Sequence, residues 1–136
     1  MSLSEFPGIL NSVVLCIDDN EDVLECEKSF LETFGCTVLA AASGGRGLEL
    51  ASQYPVDVVI VDYLMPEMNG QEVAVEMRRL KPQTPIIMLS ASVDIPQQVL
   101  NLVDAFVAKD QLASQLLPTI AQLCGCGSLP PSRLDA

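Results

Sequence analysis

The chain has no histidine and no tryptophan, and only 7 basic residues stand against 18 acidic ones in 136. Without histidine there is no Ser-His or Cys-His nucleophile and no histidine-ligated zinc, so any chemistry falls to carboxylates, lysine, hydroxyls or thiols. The formal net charge of -11 repels the phosphate backbone that a nucleic-acid-binding protein must neutralise, which argues against direct nucleic-acid contact. No apolar run approaches the roughly 18 residues needed to span a bilayer, and the N-terminus lacks a basic n-region followed by an apolar core. The expected setting is cytoplasmic and away from membranes. Cysteine is present, but its count of 5 is odd. Cys16, Cys26 and Cys36 lie in apolar or helical patterns and read as reduced core thiols. Cys124 and Cys126 form a C-x-C with no second pair to complete a zinc site.

What the chain does have is enough apolar material, 49% of its residues, for one core of ordinary domain size. Apolar runs at 12–17, 36–42, 56–61, 85–89 and 105–108 predict strands, the first rich in valine and isoleucine as expected of a strand buried on both faces. Between them lie stretches of helical spacing. Val23, Cys26, Phe30 and Phe34 predict a first helix over 21–34 that Gly35 stops, and a shorter one is expected over 46–53. Val73, Met77 and Leu80 mark a third. A fourth is expected from Asp94-Ile95-Pro96 to about Leu102, and a fifth over 111–123 that Pro118 should kink. Five strands alternating with five helices predict a doubly wound α/β sandwich, (βα)5, with a five-stranded parallel sheet. Residues 1–11 read as a leader, 12–123 as the domain and 124–136 as a flexible tail or linker.

In such sheets ligands bind beyond the carboxyl ends of the strands. The sequence puts Asp18-Asp19, Asp62, Ser90 and Lys109 at four of those ends. Clustered carboxylates repel one another unless a cation neutralises them, and Mg²⁺ suits a site with few direct carboxylates and a phosphate nearby. A lysine ammonium and a serine hydroxyl across the cleft would suit phosphoryl charge, and an aspartate nucleophile forming an aspartyl-phosphate is chemically reasonable. Asp18-x-Asn20-x-Asp22 also begins like a calcium loop, but Val23 and Ser29 stand where that loop requires glycine and glutamate. Asp57 and Asp104 fall at strand entrances on the opposite edge, where solvation accounts for them.

Four segments together resemble the receiver domain of two-component response regulators, over about 13–123. Asp62-Tyr63-Leu64-Met65-Pro66-Glu67-Met68-Asn69-Gly70 is similar to the family's D-x-x-M-P-x-M-[DN]-G loop. Val14-Leu15-Cys16-Ile17-Asp18-Asp19 resembles its acidic-pair strand, Leu89-Ser90-Ala91 its hydroxyl strand, and Ala105-Phe106-Val107-Ala108-Lys109 its lysine strand. The resemblance implies a flavodoxin-like strand order, 2-1-3-4-5. It implies that Asp62 accepts phosphate from a histidine kinase or histidine phosphotransfer protein. Asp18, Asp19, Asp62 and the main-chain carbonyl of Leu64 would hold Mg²⁺, and Lys109 would pair with the phosphoryl group. Ser90 and Phe106 would form the switch to an output partner. The predicted fifth helix carries no charged side chain in a chain of net charge -11, which points to the face of the fourth helix, fifth strand and fifth helix as the surface that partner covers.

Three positions depart from that pattern: Asp110 where proline is common, Leu102 where glycine usually precedes the fifth strand, and apolar Leu64 two residues past Asp62. The expected function is a stand-alone, phosphorylation-controlled receiver rather than a metabolic enzyme, one that assists its own phosphorylation and dephosphorylation. One alternative, a haloacid-dehalogenase-type phosphatase, would want D-x-D-x-T after the first strand, where Asp18 is followed by Asp19-Asn20-Glu21. The other, a non-phosphorylated interaction module of the same fold, would have a degraded site.

Overall fold

The computed structural model describes Ile9 and residues 11–65, 67–91 and 94–123. Pro66, Cys124, Cys126 and the expected tail lie outside the described residues. Five parallel strands, β1 (Val13–Ile17), β2 (Thr37–Ala41), β3 (Val58–Asp62), β4 (Ile86–Ser90) and β5 (Ala105–Ala108), form one sheet in the order β2-β1-β3-β4-β5. Helices α1 (Glu21–Thr33), α2 (Gly44–Gln53), α3 (Gly70–Leu80), α4 (Gln97–Leu100) and α5 (Leu112–Leu123) provide the crossovers and the final cover. Register is continuous across the centre: Cys16 pairs with Ile60, Ile60 with Ile87, and Ile87 with Ala105.

Strand alternation divides the interior into two layers. Val14, Cys16, Val58, Ile60, Ile87 and Leu89 face α1 and α5, meeting Leu24, Leu31, Leu116, Leu117 and Ile120. Leu15, Ile17, Val59, Val61, Ile86 and Met88 face the other side, against Leu50, Val73, Met77 and Val99. Ile9, within the stretch set aside as a leader, is fully buried in the first layer.

Helix ends follow local chemistry. Asn20 caps α1 by accepting from the N–H groups of Asp22 at 3.0 Å and Val23 at 3.2 Å. Gly35 follows α1 with φ of 89°, the left-handed conformation in which glycine has no Cβ to clash. Ser43 caps α2, so Gly44 and Gly45 open that helix, which starts two residues ahead of the expected 46–53. Asn69 and Glu72 form a reciprocal capping box at the start of α3.

Two helices differ from expectation. The predicted fourth helix contracts to one turn over Gln97–Leu100, with Pro96 as its cap. Leu102 and Val103 then donate back to Val99 and Leu100 at 3.0 and 3.3 Å, a tight descent without a left-handed cap. The fifth begins one residue later than expected, because Lys109–Gln111 form a 3₁₀ turn, and Pro118 lies inside it. On α1 the apolar face is also rotated. Leu24, Glu27 and Leu31 point inward, whereas Cys26, expected in the core, is exposed. Glu27, a carboxylate at a core position, hid that face from a purely apolar reading. Among the described residues no helix is long and apolar enough to cross a membrane.

Candidate functional site

Parallel strands that end at one edge bring their last side chains together, and here β1, β3, β4 and β5 do so at their carboxyl ends. Asp18 follows β1, Asp62 and Ser90 end β3 and β4, and Lys109 follows β5. One carboxylate oxygen each from Asp18, Asp19 and Asp62 lies within 4.8 Å of the others. Asp18 and Asp62 are buried, whereas Asp19 is exposed at the mouth.

Lys109 bridges the two buried carboxylates, with Nζ 3.0 Å from Asp18 Oδ2 and 3.0 Å from Asp62 Oδ1. The contact to Asp18 is an ion pair by distance, but Oδ2 is a buried oxygen with no well-angled hydrogen bond. Its charge thus meets one ammonium within a cluster of three carboxylates, oxygen donors of the kind a hard divalent cation requires. Asp18 Oδ1, by contrast, accepts from the Asn20 N–H at 2.9 Å, which fixes the carboxylate plane. Asn20 caps α1 with its own side chain, so the apparent calcium-loop spacing serves the helix start.

The electrostatics follow from burial and crowding. Burial pushes the Asp62 carboxyl above its ordinary value, Lys109 opposes the shift, and Asp18 and Asp19 add to it. For Lys109, burial works against the charge, but its close contacts with the Asp18 and Asp62 carboxylates outweigh it and raise the ammonium's pKa. Its stabilising charge is therefore present at neutral pH and lost only as pH rises through that raised value.

The loop after β3 is shaped by close approach. A Cβ on Gly70 would stand 2.6 Å from the Asp62 carbonyl oxygen and 2.8 Å from Tyr63 Cα, so only glycine fits beneath the site. The Gly70 N–H donates to the Tyr63 carbonyl at 2.7 Å and closes the loop. Leu64 projects into solvent at 63% exposure, while Met65 turns inward. Ser90 is buried at the end of β4, and Phe106 is half-buried on β5, paired with Met88.

This geometry has close counterparts. A family model described as the response regulator receiver domain matches residues 14–121. The chain belongs to that family. Its fold matches a response regulator receiver domain protein from Clostridium thermocellum with a TM-score of 0.79 and 27% identity, covering 86% of this chain and 97% of that one. It also matches the response regulator TrrA from Thermotoga maritima, solved in complex with Mg²⁺ and BeF, at a TM-score of 0.78 and 28% identity over 82% and 98% of the two chains. The transcriptional regulatory protein PhoP of Bacillus subtilis is 31% identical over 68% of this chain but only 39% of its own length. GlrR of Escherichia coli is 35% identical over 63% of this receiver and 19% of the regulator. This receiver thus spans well under half of those curated relatives.

Two acidic residues assigned to solvation hold the far edge of the sheet instead. Asp57 Oδ2 accepts from the Val13 N–H at 2.7 Å, tying the entry of β3 to that of β1. Asp104 Oδ2 accepts from the Ile86 N–H at 2.8 Å and pairs with Arg78 Nη2 at 2.8 Å. The residue that sequence reasoning missed altogether is Glu27, buried on α1 behind the acidic cluster. Its spacing from Leu24 and Leu31, three and four residues away, was the available signal.

Proposed function

We propose that this receiver accepts a phosphoryl group on Asp62 from a histidine kinase or histidine phosphotransfer protein and passes the state to a protein partner. The observation that carries this reading is the Lys109 ammonium seated 3.0 Å from both Asp62 and Asp18, within a cluster of three carboxylates. Asp18, Asp19, Asp62 and the Leu64 carbonyl would hold Mg²⁺, which when bound offsets carboxylate and phosphoryl charge. The all-oxygen donor set of three clustered carboxylates fits that ion. TrrA, similar in fold, was solved with Mg²⁺ and BeF.

In the transfer, an Asp62 carboxylate oxygen attacks phosphorus in line with the departing imidazole. A P–O bond forms, the P–N bond breaks, and the imidazole leaves neutral because its other ring nitrogen already carries a proton. Lys109 then holds the phosphoryl oxygens. Ser90, buried at the end of the neighbouring strand, donates its hydroxyl hydrogen to the same group, and Phe106 follows it inward as the aromatic half of the switch. Hydrolysis of the aspartyl-phosphate at this site resets the receiver. It turns over no metabolite. The site chemistry and charge suit a cytoplasmic signalling protein without direct nucleic-acid contact.

The test is phosphorylation by a small acyl phosphate, read by intact mass. A single phosphoryl adduct should form with Mg²⁺ and vanish in Asp62→Asn or with excess chelator. An adduct that persists in Asp62→Asn, or forms equally with chelator, overturns the assignment.

A further inference from the structure

Glu27 is 1% exposed, and both its carboxylate oxygens are buried without a well-formed hydrogen bond. It sits on the inward face of α1 between Leu24 and Leu31, in the apolar layer that also contains Cys16 on β1 and Leu116, Leu117 and Ile120 on α5. A carboxylate anion with no well-formed hydrogen bond in such a layer is among the costliest groups a fold can contain. As a neutral acid it costs far less. We infer that Glu27 is a buried proton-binding group that couples the docking of α1 on the sheet to pH: α1 packs tightly while the carboxyl is neutral and loosens when it ionises. This inference concerns the fold and does not depend on phosphoryl transfer at Asp62.

The groups facing Glu27 are few. From β1 the Cys16 thiol lies against it and weakly favours the charged form; Asp18, at the end of the same strand, and the more distant Asp62 oppose ionisation; Lys109 favours it. Neither α5 nor the inward residues of α1 add a titratable group to this layer. Cys36, ahead of β2, is felt through Cys16. Burial is the largest effect and, with Asp18, pushes the Glu27 carboxyl up to about 8. The same surroundings hold the Cys16 thiol well above its ordinary value, so it remains a neutral thiol as Glu27 titrates.

The sign follows from linkage. Glu27 binds its proton more tightly folded than unfolded, so its favourable contribution is complete below the ordinary carboxyl value. It falls as pH rises and is gone once pH passes about 8. Across that window the folded state retains one proton that the unfolded state has released. The folding equilibrium constant should therefore lose up to tenfold per pH unit from this group alone, equivalent to ~1.36 kcal/mol per unit. On ionisation the O–H bond breaks and the proton passes to solvent base.

The experiment compares urea unfolding of the full chain with that of Glu27→Gln and Glu27→Leu between pH 5 and 9. All other titrating groups are shared, so the difference between curves isolates Glu27. Wild type should lose stability relative to Glu27→Gln steadily up to about pH 8 and then run parallel to it. Curves parallel throughout overturn the inference. Should the variants not fold, infrared spectroscopy of wild type decides: a protonated-carboxyl band that persists at pH 7 and titrates away near 8 supports it, and its absence at pH 7 overturns it. Amide exchange, corrected for intrinsic rates, should show residues 21–33 less protected at pH 9 than at pH 6. Unchanged protection there would overturn the loosening of α1.

Discussion

Lys109 Nζ lies 3.0 Å from Asp62 Oδ1 and equally far from Asp18 Oδ2, so one ammonium neutralises part of a charge cluster that a divalent cation would also neutralise. The two cations therefore compete electrostatically for the same carboxylates. Lys109→Ala is expected to bind Mg²⁺ more tightly by about tenfold, or ~1.4 kcal/mol, while its conformational response to beryllofluoride across residues 90–109 is lost. Titration calorimetry and amide chemical shifts measure the two. Unchanged or weaker Mg²⁺ affinity would remove the competition, and shift changes equal to wild type would remove Lys109 from the switch.

Gly45 and Gly70 make a matched contrast. A Cβ on Gly45 meets nothing within 4 Å, whereas one on Gly70 runs into backbone of the residues that carry the candidate phosphoacceptor. Gly45→Ala should stabilise the protein by about 0.4–1 kcal/mol through helix propensity and unfolded-state entropy. Gly70→Ala should destabilise it by about 1–3 kcal/mol and slow acyl-phosphate labelling of Asp62, because the loop beneath the site must shift. Thermal unfolding and labelling rates distinguish these outcomes. Equal effects of the two substitutions on either measurement would contradict the steric account.

Asp104 serves two partners, the Ile86 N–H and the Arg78 guanidinium. Asp104→Ala strands both and should cost about 1–3 kcal/mol. Arg78→Ala leaves the strand contact intact and removes a half-exposed pair, and the coupling between the two in a double-mutant cycle should be only about 0.2–1 kcal/mol. Arg78 also donates to the carbonyls of Thr84 and Leu102, so its own substitution should cost more than that coupling. Urea unfolding provides the numbers.

The fold was legible because five short apolar runs alternate with stretches of helical spacing, and β1, β3, β4 and β5 are each closed by a polar residue, a pattern that admits few topologies. Asp18, Asp19, Asp62, Ser90 and Lys109 were legible for the same reason, since strand ends in a parallel sheet share an edge. The misread parts had local signals that tertiary packing overrode. Asp94-Ile95-Pro96 looked like the start of a full helix, yet with Leu102 in place of a left-handed cap the segment closes after a single turn. Cys26 was assigned to the core because an apolar reading of α1 passed over Glu27, which holds the inward position instead. Asp57 and Asp104 looked like solvated turn residues because a side chain bonding a strand's first N–H has no pattern along the chain.

The contraction of α4 bears on where the output partner binds. With only Gln97–Leu100 helical there, the face beside Phe106 depends chiefly on Gln111, in the turn before α5, and on α5 itself, whose solvent side is Ala113, Ser114, Gln115, Pro118 and Gln122, with Thr119 half-buried. No charged side chain occurs on α5, although the chain carries a net charge of -11. Its polar groups satisfy one another: Gln115 Nε2 donates to Gln111 Oε1 at 3.0 Å, and Thr119 Oγ1 to the Gln115 carbonyl at 2.7 Å. A neutral face needs little desolvation and avoids the repulsion an acidic one would meet, which suits intermittent cover by a protein, whereas a salt-bridged symmetric dimer would require charges that are not there. Phosphorylated receiver bound to its partner should therefore gain amide protection over residues 95–123, and Gln115→Glu with Gln122→Glu should weaken that binding about tenfold while leaving acyl-phosphate labelling of Asp62 unchanged. Hydrogen exchange and titration calorimetry measure the two. Protection confined to residues 21–53, with 95–123 unaffected, would place the output elsewhere on the molecule.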